Sequence, residues 1–381
     1  MINQQEKNTD FYLHIVCFDV PFPANYGGAI ESFYKIKSLH QLGVKIYLHC
    51  FIYDDRREQT ALLEYCEKVF YYKRERNIKD VFSTIPFIVK SRANEKLLAN
   101  LIQYDFPILF DATHCTAFID HPALSKRKKV VRLHNIEWIY YRILLQHAVS
   151  LKDKIFFFQE YKKLRKYDKQ FRLADAMSCL SQTDFEYYKD KFPAKKVQLD
   201  FVFHENEKIQ SKIGKGDYIL YHGNLSLSDN YSLVLDILHN DLKDCKHKII
   251  LAGKNPPNIL ADFVAQKSNI ELIANPTNET LLKLIQDAHI CLALAANPSG
   301  VKLKLINSLF NARFVISDDN TLTGSGLDAL VYKTDETPLP ELVDKLMKKT
   351  FTQDEIFDRE KILMEKYNNQ KNAQHILNLF V

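Results

Sequence analysis

No stretch of this 381-residue chain is apolar for long enough to cross a bilayer. The residues before Phe11 (MINQQEKNTD) are polar, so no secretory leader is expected. A cytoplasmic location follows as the expectation, with the inner face of the membrane as the alternative. Paired cysteines are missing too. Cys17, Cys50, Cys66, Cys115, Cys179, Cys245 and Cys291 are scattered, and none shows C-x-x-C or finger spacing. They read as reduced thiols, several of them inside strand-like runs. One-sided charge is absent: 52 Lys+Arg stand against 47 Asp+Glu, a net charge of +5. That balance favours small anionic partners over nucleic acid, which needs a concentrated basic face. The basic runs here are dispersed and lack interleaved aromatic platforms. Short repeats, low-complexity tracts and the G-x-G-x-x-G dinucleotide fingerprint are also lacking.

What is present is an alternation of strands and helices, twice over. Tyr12 to Val20 reads as a strand, Pro21 to Gly28 as a loop, Ala29 to Leu42 as a helix ended by Gly43, and Val44 to Phe51 as a second strand. This is one βαβ unit. Short strands follow at Val69, Ile108, Val130, Ala176 and Val197. Ser211 to Gly216 is the best linker candidate, and after it the pattern restarts. The second set of strands begins at Tyr218, Lys248, Ile270, Ile290, Phe314 and Leu330. Alternation of this kind means parallel sheets covered by helices, so each half is expected to be a doubly wound α/β domain. The predicted division is 1–210, 211–350 and a helical segment 351–381 that packs back on the first domain. Thr352 and Glu355 match a capping box, and Tyr367 to Gln370 divides or kinks the last helical stretch.

The stretch Ile290 to Asp319 organises the second half. It reads as strand, tight loop, helix, strand. Asn297 or Ser299 is expected to cap the helix, and Gly300 permits close approach to backbone. The first-turn N–H groups of a helix lack internal partners. Lys302 and Lys304 add two cations there, opposing the helix dipole by roughly 0.3–1 kcal/mol each if exposed. A phosphate or diphosphate would offset them. The alternative is two solvated lysines on a surface helix.

In the first half, Gly27 and Gly28 either form a plain turn or let a substrate lie against backbone at the strand's carboxyl edge. His134 follows the strand Val130 to Leu133, at the same kind of edge. It has Asn135, Glu137 and the only tryptophan, Trp138, beside it, and histidine is the usual proton donor or acceptor near neutral pH. Lys152 to Arg172 reads as a basic amphipathic helix. Phe157, Tyr161, Leu164 and Phe171 fall near one face. Such a helix can lie on an anionic membrane, but the preferred reading is a core-facing helix with a solvated basic side.

These motifs resemble the GT-B glycosyltransferases, and within them the large retaining family four. Pro21-x-Pro23-x-x-Tyr26-Gly27-Gly28 followed by a helix is similar to that family's N-terminal signature. His134 matches its strand-end histidine. Tyr221-His222-Gly223-Asn224-Leu225 is similar to the segment opening the nucleotide-binding half, and Ser299 to Asn307 to the segment that grips the donor's diphosphate and ribose. The chain also resembles a branch called mannosyltransferases in gut Bacteroidetes. Two departures stand out. The family usually has two glutamates eight positions apart, where this chain has Ser299 and Asn307. Many members carry an Arg and a Lys after the Gly223 position, where Asn224 and Asn230 stand here.

The resemblance implies two Rossmann-like domains facing across a cleft. It implies transfer of a hexose, with retention, from a nucleotide-diphosphate sugar to a glycan or lipid-linked acceptor. It gives His134 a catalytic role. The donor would be bound by Gly27, Gly28, Gly223, Asn224, Gly253, Ser299, Gly300, Val301, Lys302, Lys304 and Asn307. No metal and no cofactor are expected, no nucleic-acid partner, and peripheral membrane contact only as the alternative above. No Asp/Glu pair marks a double-displacement nucleophile. The rival readings are a catalytically impaired GT-B-like protein that binds nucleotide or glycan or partners an active transferase, and another GT-B enzyme such as a sugar-nucleotide epimerase.

Overall fold

The computed structural model describes residues 10–298 and 300–381, the side chains of residues 78 and 79 apart. The chain divides into two units. One comprises residues 1–205 and 367–381, the other residues 206–366.

In the first unit, β1 (Tyr12–Cys17), β2 (Lys45–Ile52), β3 (Lys68–Lys73), β4 (Ile108–Asp111), β5 (Lys129–Leu133), β6 (Ala176–Cys179) and β7 (Lys196–Leu199) form one parallel sheet. Its order is β3-β2-β1-β4-β5-β6-β7. Because side chains alternate across a strand, Ile15 enters the core on one face and the adjacent Val16 the core on the other. Both faces are covered, which is why these strands read as near-continuous apolar runs. The strand order reverses direction between β1 and β4, where Cys17 lies level with Asp111. Open α/β sheets hold their ligands beyond the strand ends at such a reversal.

The second unit repeats the plan with β8 (Tyr218–Gly223), β9 (Lys248–Gly253), β10 (Ile270–Ala274), β11 (Ile290–Ala293), β12 (Phe314–Ser317) and β13 (Tyr332–Lys333). All pairs are parallel, in the order β10-β9-β8-β11-β12-β13. Its reversal lies between β8 and β11, with Leu292 level with Tyr221.

The C-terminal stretch is shared out. Thr352 donates its N–H to the Glu355 carboxylate at 2.7 Å, starting the helix Gln353–Lys366. From that helix Arg359 reaches the Leu309 and Ala312 carbonyls, at the C-terminal end of the helix Leu303–Asn311. A cation there satisfies carbonyls the helix leaves open. This bond set holds residues 353–366 in the second unit, so the chain returns to the first unit at Tyr367 and not at residue 351. The break falls in the polar stretch: Asn368 caps the next helix, Asn369–Leu377, by accepting from the Lys371 N–H at 3.0 Å. That helix lays Ala373 and Ile376, with Leu379 and Phe380, on Ile36 and Leu39 of the helix Gly27–Gln41. Each such large side chain contributes roughly 1.5–3 kcal/mol by burial.

Candidate functional site

In the first unit the loops after β1, β4 and β5 bring a set of polar groups together at the sheet reversal. Asp111 closes β4 and is fully buried. It accepts from Lys35 Nζ at 2.5 Å, Ser32 Oγ at 2.6 Å and His134 Nε2 at 2.8 Å. Burial alone would raise its carboxyl, but Lys35 and His134 overcome that and hold it well below the usual carboxylate range. Glu31 lies one helical turn before Lys35. It accepts from Arg132 Nε at 2.9 Å and from the Phe203 N–H at 2.5 Å. Its carboxyl too is lowered, burial being outweighed by Arg132 and Lys35. An ionised Asp111 can only accept, so the His134 proton on that side sits on Nε2. In the neutral ring Nδ1 is then left as the acceptor, at a side chain 11% exposed.

Phe18 stands edge-on to His134, their ring centroids 5.7 Å apart. A Cβ on Gly28 would lie 2.6 Å from Phe18 Cζ, so a side chain there would displace the ring. Gly28 and His134 are thus linked through Phe18. Gly27 opens the helix Gly27–Gln41, which has neither a side-chain cap nor an acidic residue in its first turn. Nearby, burial pushes Asp19 up to about 6, and Tyr26 donates its hydroxyl to it. Burial pushes Glu137 up to about 8, helped by Asp184.

Glu31, Asp111 and His134 each offer an oxygen or nitrogen atom within 4.8 Å of the others, the kind of grouping that holds a metal. The residues present do not fit one. Lys35 and Arg132 already neutralise the two carboxylates at ion-pair distance, and a dication would have to displace a buried ammonium.

In the second unit the loops after β8 and β11 meet at the other reversal. Gly300 takes a positive φ of 67°, and the helix begins only at Leu303. The expected cap at Asn297 is corrected: Lys302 occupies the capping position, and its side chain makes no capping bond. Ser299 itself lies outside the described residues. The left-handed turn at Gly300, following Pro298, keeps the chain out of the helix for several residues. Asn297 instead donates to Asp229 at 3.3 Å and accepts from Lys302 Nζ at 3.3 Å, tying this loop to the helix Ser228–His239.

Lys304 sits in the first turn and folds back. Its Nζ donates to the Leu294 carbonyl and stands over the Tyr221 ring, 5.0 Å from the centroid. Burial lowers Lys302 and Lys304 to about 8 each, partly offset by Asp318. Among the described residues Lys304 has no carboxylate within ion-pair distance. The buried Tyr221 hydroxyl has no hydrogen-bond partner among the described residues. Two partly buried lysines at a helix N-terminus make a place of positive potential.

Gly223 and Gly253 close β8 and β9 side by side. A Cβ on Gly253 would lie 2.2 Å from the Gly223 carbonyl oxygen, so close strand packing alone accounts for that glycine. Asn224 shapes its own turn: its Oδ1 accepts from Ser226 N at 3.2 Å and Oγ at 2.7 Å, and its carbonyl from Asn230 Nδ2 at 2.9 Å. Val301 lies in the loop between Gly300 and Lys302, partly buried. Asn307 points its oxygen along its own helix, accepting from Asn311 Nδ2 at 2.8 Å. The structure therefore gathers Gly223, Asn224, Gly300, Val301, Lys302 and Lys304 at one sheet edge, and leaves the Asn307 oxygen engaged elsewhere. Gly27, Gly28 and His134 form the separate set in the first unit.

Sequence reasoning missed Asp111, Lys35 and Asp318. A signal for the first two existed. Glu31, Ser32 and Lys35 lie on the same helical stripe as Ile36 and Leu39, and charged residues on a buried stripe demand partners at a strand end.

No family model matches the chain. A protein of Klebsiella pneumoniae described as an uncharacterized 44.6 kDa protein in the cps region is 25% identical, over 94% of this chain and 96% of its own length. Among solved structures, TarM matches with a TM-score of 0.69 at 11% identity, covering 98% of this chain and 99% of that one. Sucrose-phosphate synthase from Thermosynechococcus elongatus matches at 0.69 and 13% identity, covering 97% and 98%. The catalytic domain of starch synthase IV from Arabidopsis thaliana, bound to ADP and acarbose, matches at 0.62 and 10% identity, covering 97% and 98%. The chain has the GT-B fold of these glycosyltransferases: two Rossmann-like units, each built on a parallel sheet.

Proposed function

We propose that the protein is a glycosyltransferase that moves a hexose from a nucleotide-diphosphate sugar to a glycan or lipid-linked acceptor, with retention at the anomeric carbon, as in the retaining family four. The observation that carries this reading is the pair Lys302 and Lys304 at a helix start on the reversal edge of the second sheet. In the reaction the bond from C1 to the diphosphate oxygen breaks, a bond from the acceptor oxygen to C1 forms, and the acceptor's hydroxyl proton passes to the departing diphosphate. Negative charge then builds on the departing diphosphate. Fixed cations and backbone N–H groups aimed at that charge lower the barrier. With two lysines in this place, the donor needs no metal counter-ion. Support for a role of His134 at the transferred sugar comes from its hydrogen bond to Asp111 and its partial exposure. The reaction is assigned to the cytoplasm, where the lipid-linked class of acceptor would be met at the inner membrane face.

The test is calorimetric titration of UDP, GDP and ADP and their sugar conjugates into the wild type and a Lys302→Ala, Lys304→Ala double variant. The reading expects at least one nucleotide diphosphate to bind and the double variant to lose it. Equal affinities in the two proteins would remove the diphosphate assignment.

A second reading, a GT-B-like protein that binds but does not transfer, is favoured by one observation. The family's glutamate pair is replaced by Ser299 and Asn307, and the Asn307 oxygen is already taken by Asn311. Sugar transfer that disappears in His134→Ala would exclude it.

A further inference from the structure

The helix Leu151–Tyr167 has two apolar faces, and the core uses one. Phe156, Phe157, Tyr161 and Leu164 pack with Ile88, Val89 and Tyr141. On the other side Leu151, Ile155 and Phe158 recur at i, i+4 and i+7, so they share a face. They are 74%, 51% and 45% exposed, and Val149 just ahead of the helix is 93% exposed. Continued toward the C-terminus, the same face carries Lys162, Arg165 and, just past the helix, Lys169, all exposed. Lys162 Nζ stands 4.2 Å from the Phe158 ring centroid, where the apolar and cationic halves join. An open groove of about 630 Å³ runs beside the cationic half, lined by Tyr161, Lys162, Arg165, Lys166 and Lys169. A solvated surface helix has no use for three large apolar side chains on its outer stripe.

We infer that this outer face is a docking surface for an anionic lipid bilayer. The apolar half enters the boundary between headgroups and acyl chains, and the cationic half pairs with headgroup phosphates. The charge pattern selects this occupant. A nucleic acid would engage the cations and leave Leu151, Ile155 and Phe158 in water. A second copy laid parallel would oppose like charges, and laid antiparallel would set the apolar half against the cationic one. The expected core-facing helix with a solvated basic side is what the packing shows, and the exposed apolar stripe of Leu151, Ile155 and Phe158 adds to it. The inference uses the first unit alone and stands whether or not the chain transfers a sugar.

The experiment is co-sedimentation of the full chain with vesicles of phosphatidylcholine, and of phosphatidylcholine mixed with phosphatidylglycerol. Binding is expected to the mixed vesicles only, and to weaken with added salt. Removing a cation near the surface weakens such binding about fivefold, so Lys162→Ala, Arg165→Ala, Lys169→Ala together should weaken it about a hundredfold. Leu151→Ser, Ile155→Ser, Phe158→Ser should remove sedimentation while lowering the thermal melt by no more than a few degrees, since much of each side chain is exposed. No binding to the mixed vesicles, equal binding to phosphatidylcholine alone, or wild-type binding by either triple variant would overturn the inference. A dimer seen by light scattering that the serine variant dissolves would also overturn it, and assign the face to a second copy.

Discussion

Phe18 and His134 meet edge to face, with their ring planes at 90°, and the contact exists because residue 28 has no side chain. The glycine's part in this unit is to seat the ring that in turn seats the imidazole.

Gly28→Ala should therefore move Phe18. Forcing one carbon into packed surroundings costs about 1–3 kcal/mol, which for a unit of this size lowers the melting temperature by a few degrees. In a transfer assay kcat should fall more than KM rises. In a Phe18→Ala background the same methyl should cost much less than in the wild type, because the atom it strikes is gone. An equal cost in both backgrounds would show that the methyl's cost lies elsewhere.

Asp111→Asn leaves Lys35 buried beside a neutral amide and His134 without its acceptor charge. Breaking a buried ion pair from one side costs about 3–5 kcal/mol, to be read from denaturant midpoints. The wild type adds a pH signature. Both Asp111 and Glu31 are depressed in the folded protein. Their contribution is fully present above the unfolded-state values, near 4, and is lost as pH falls below them. Acid unfolding should be steep in the wild type and shallower in Asp111→Asn.

Lys302 and Lys304 have been lowered to about 8 by burial. An arriving anion favours their protonated forms, so above pH 7, where the terminal phosphate is already fully ionised, diphosphate affinity should fall as pH rises through about 8. A Lys302→Arg, Lys304→Arg variant, whose guanidinium groups stay charged throughout the range, should show no such fall. The measurement is calorimetry of nucleotide diphosphate across that range, in buffers of different ionisation enthalpy to count protons taken up.

Glu137 behaves in the opposite sense. Its carboxyl is pushed up to about 8 by burial. The folded state then holds a proton that the unfolded state has released, so stability declines as pH rises from near 4.5 toward 8. Glu137→Gln keeps a neutral side chain of similar shape. It should raise the melting temperature at pH 8 and change it little at pH 5.

Strand positions were legible because both sheets are buried on both faces, so each strand announces itself as an apolar run such as Ile290 to Ala293. The parallel order followed from strand–helix alternation. The direction of the lysines was not legible. Whether Lys304 points outward or back to Leu294 depends on where the helix begins, and that is set by the left-handed turn at Gly300. The Lys35–Asp111 pair was hidden for another reason. It joins residues 76 positions apart, and no local spacing reports a contact between a helix and the end of a distant strand. The return at Tyr367 needed the bonds of Arg359, which a helical pattern alone does not reveal.

The packing of Ala373, Ile376, Leu379 and Phe380 on Ile36 and Leu39 has a consequence for biosynthesis. Residues 206–366 leave the ribosome before the strip that finishes the earlier unit. During translation the apolar flank that this strip covers therefore stays open until the last residues have emerged.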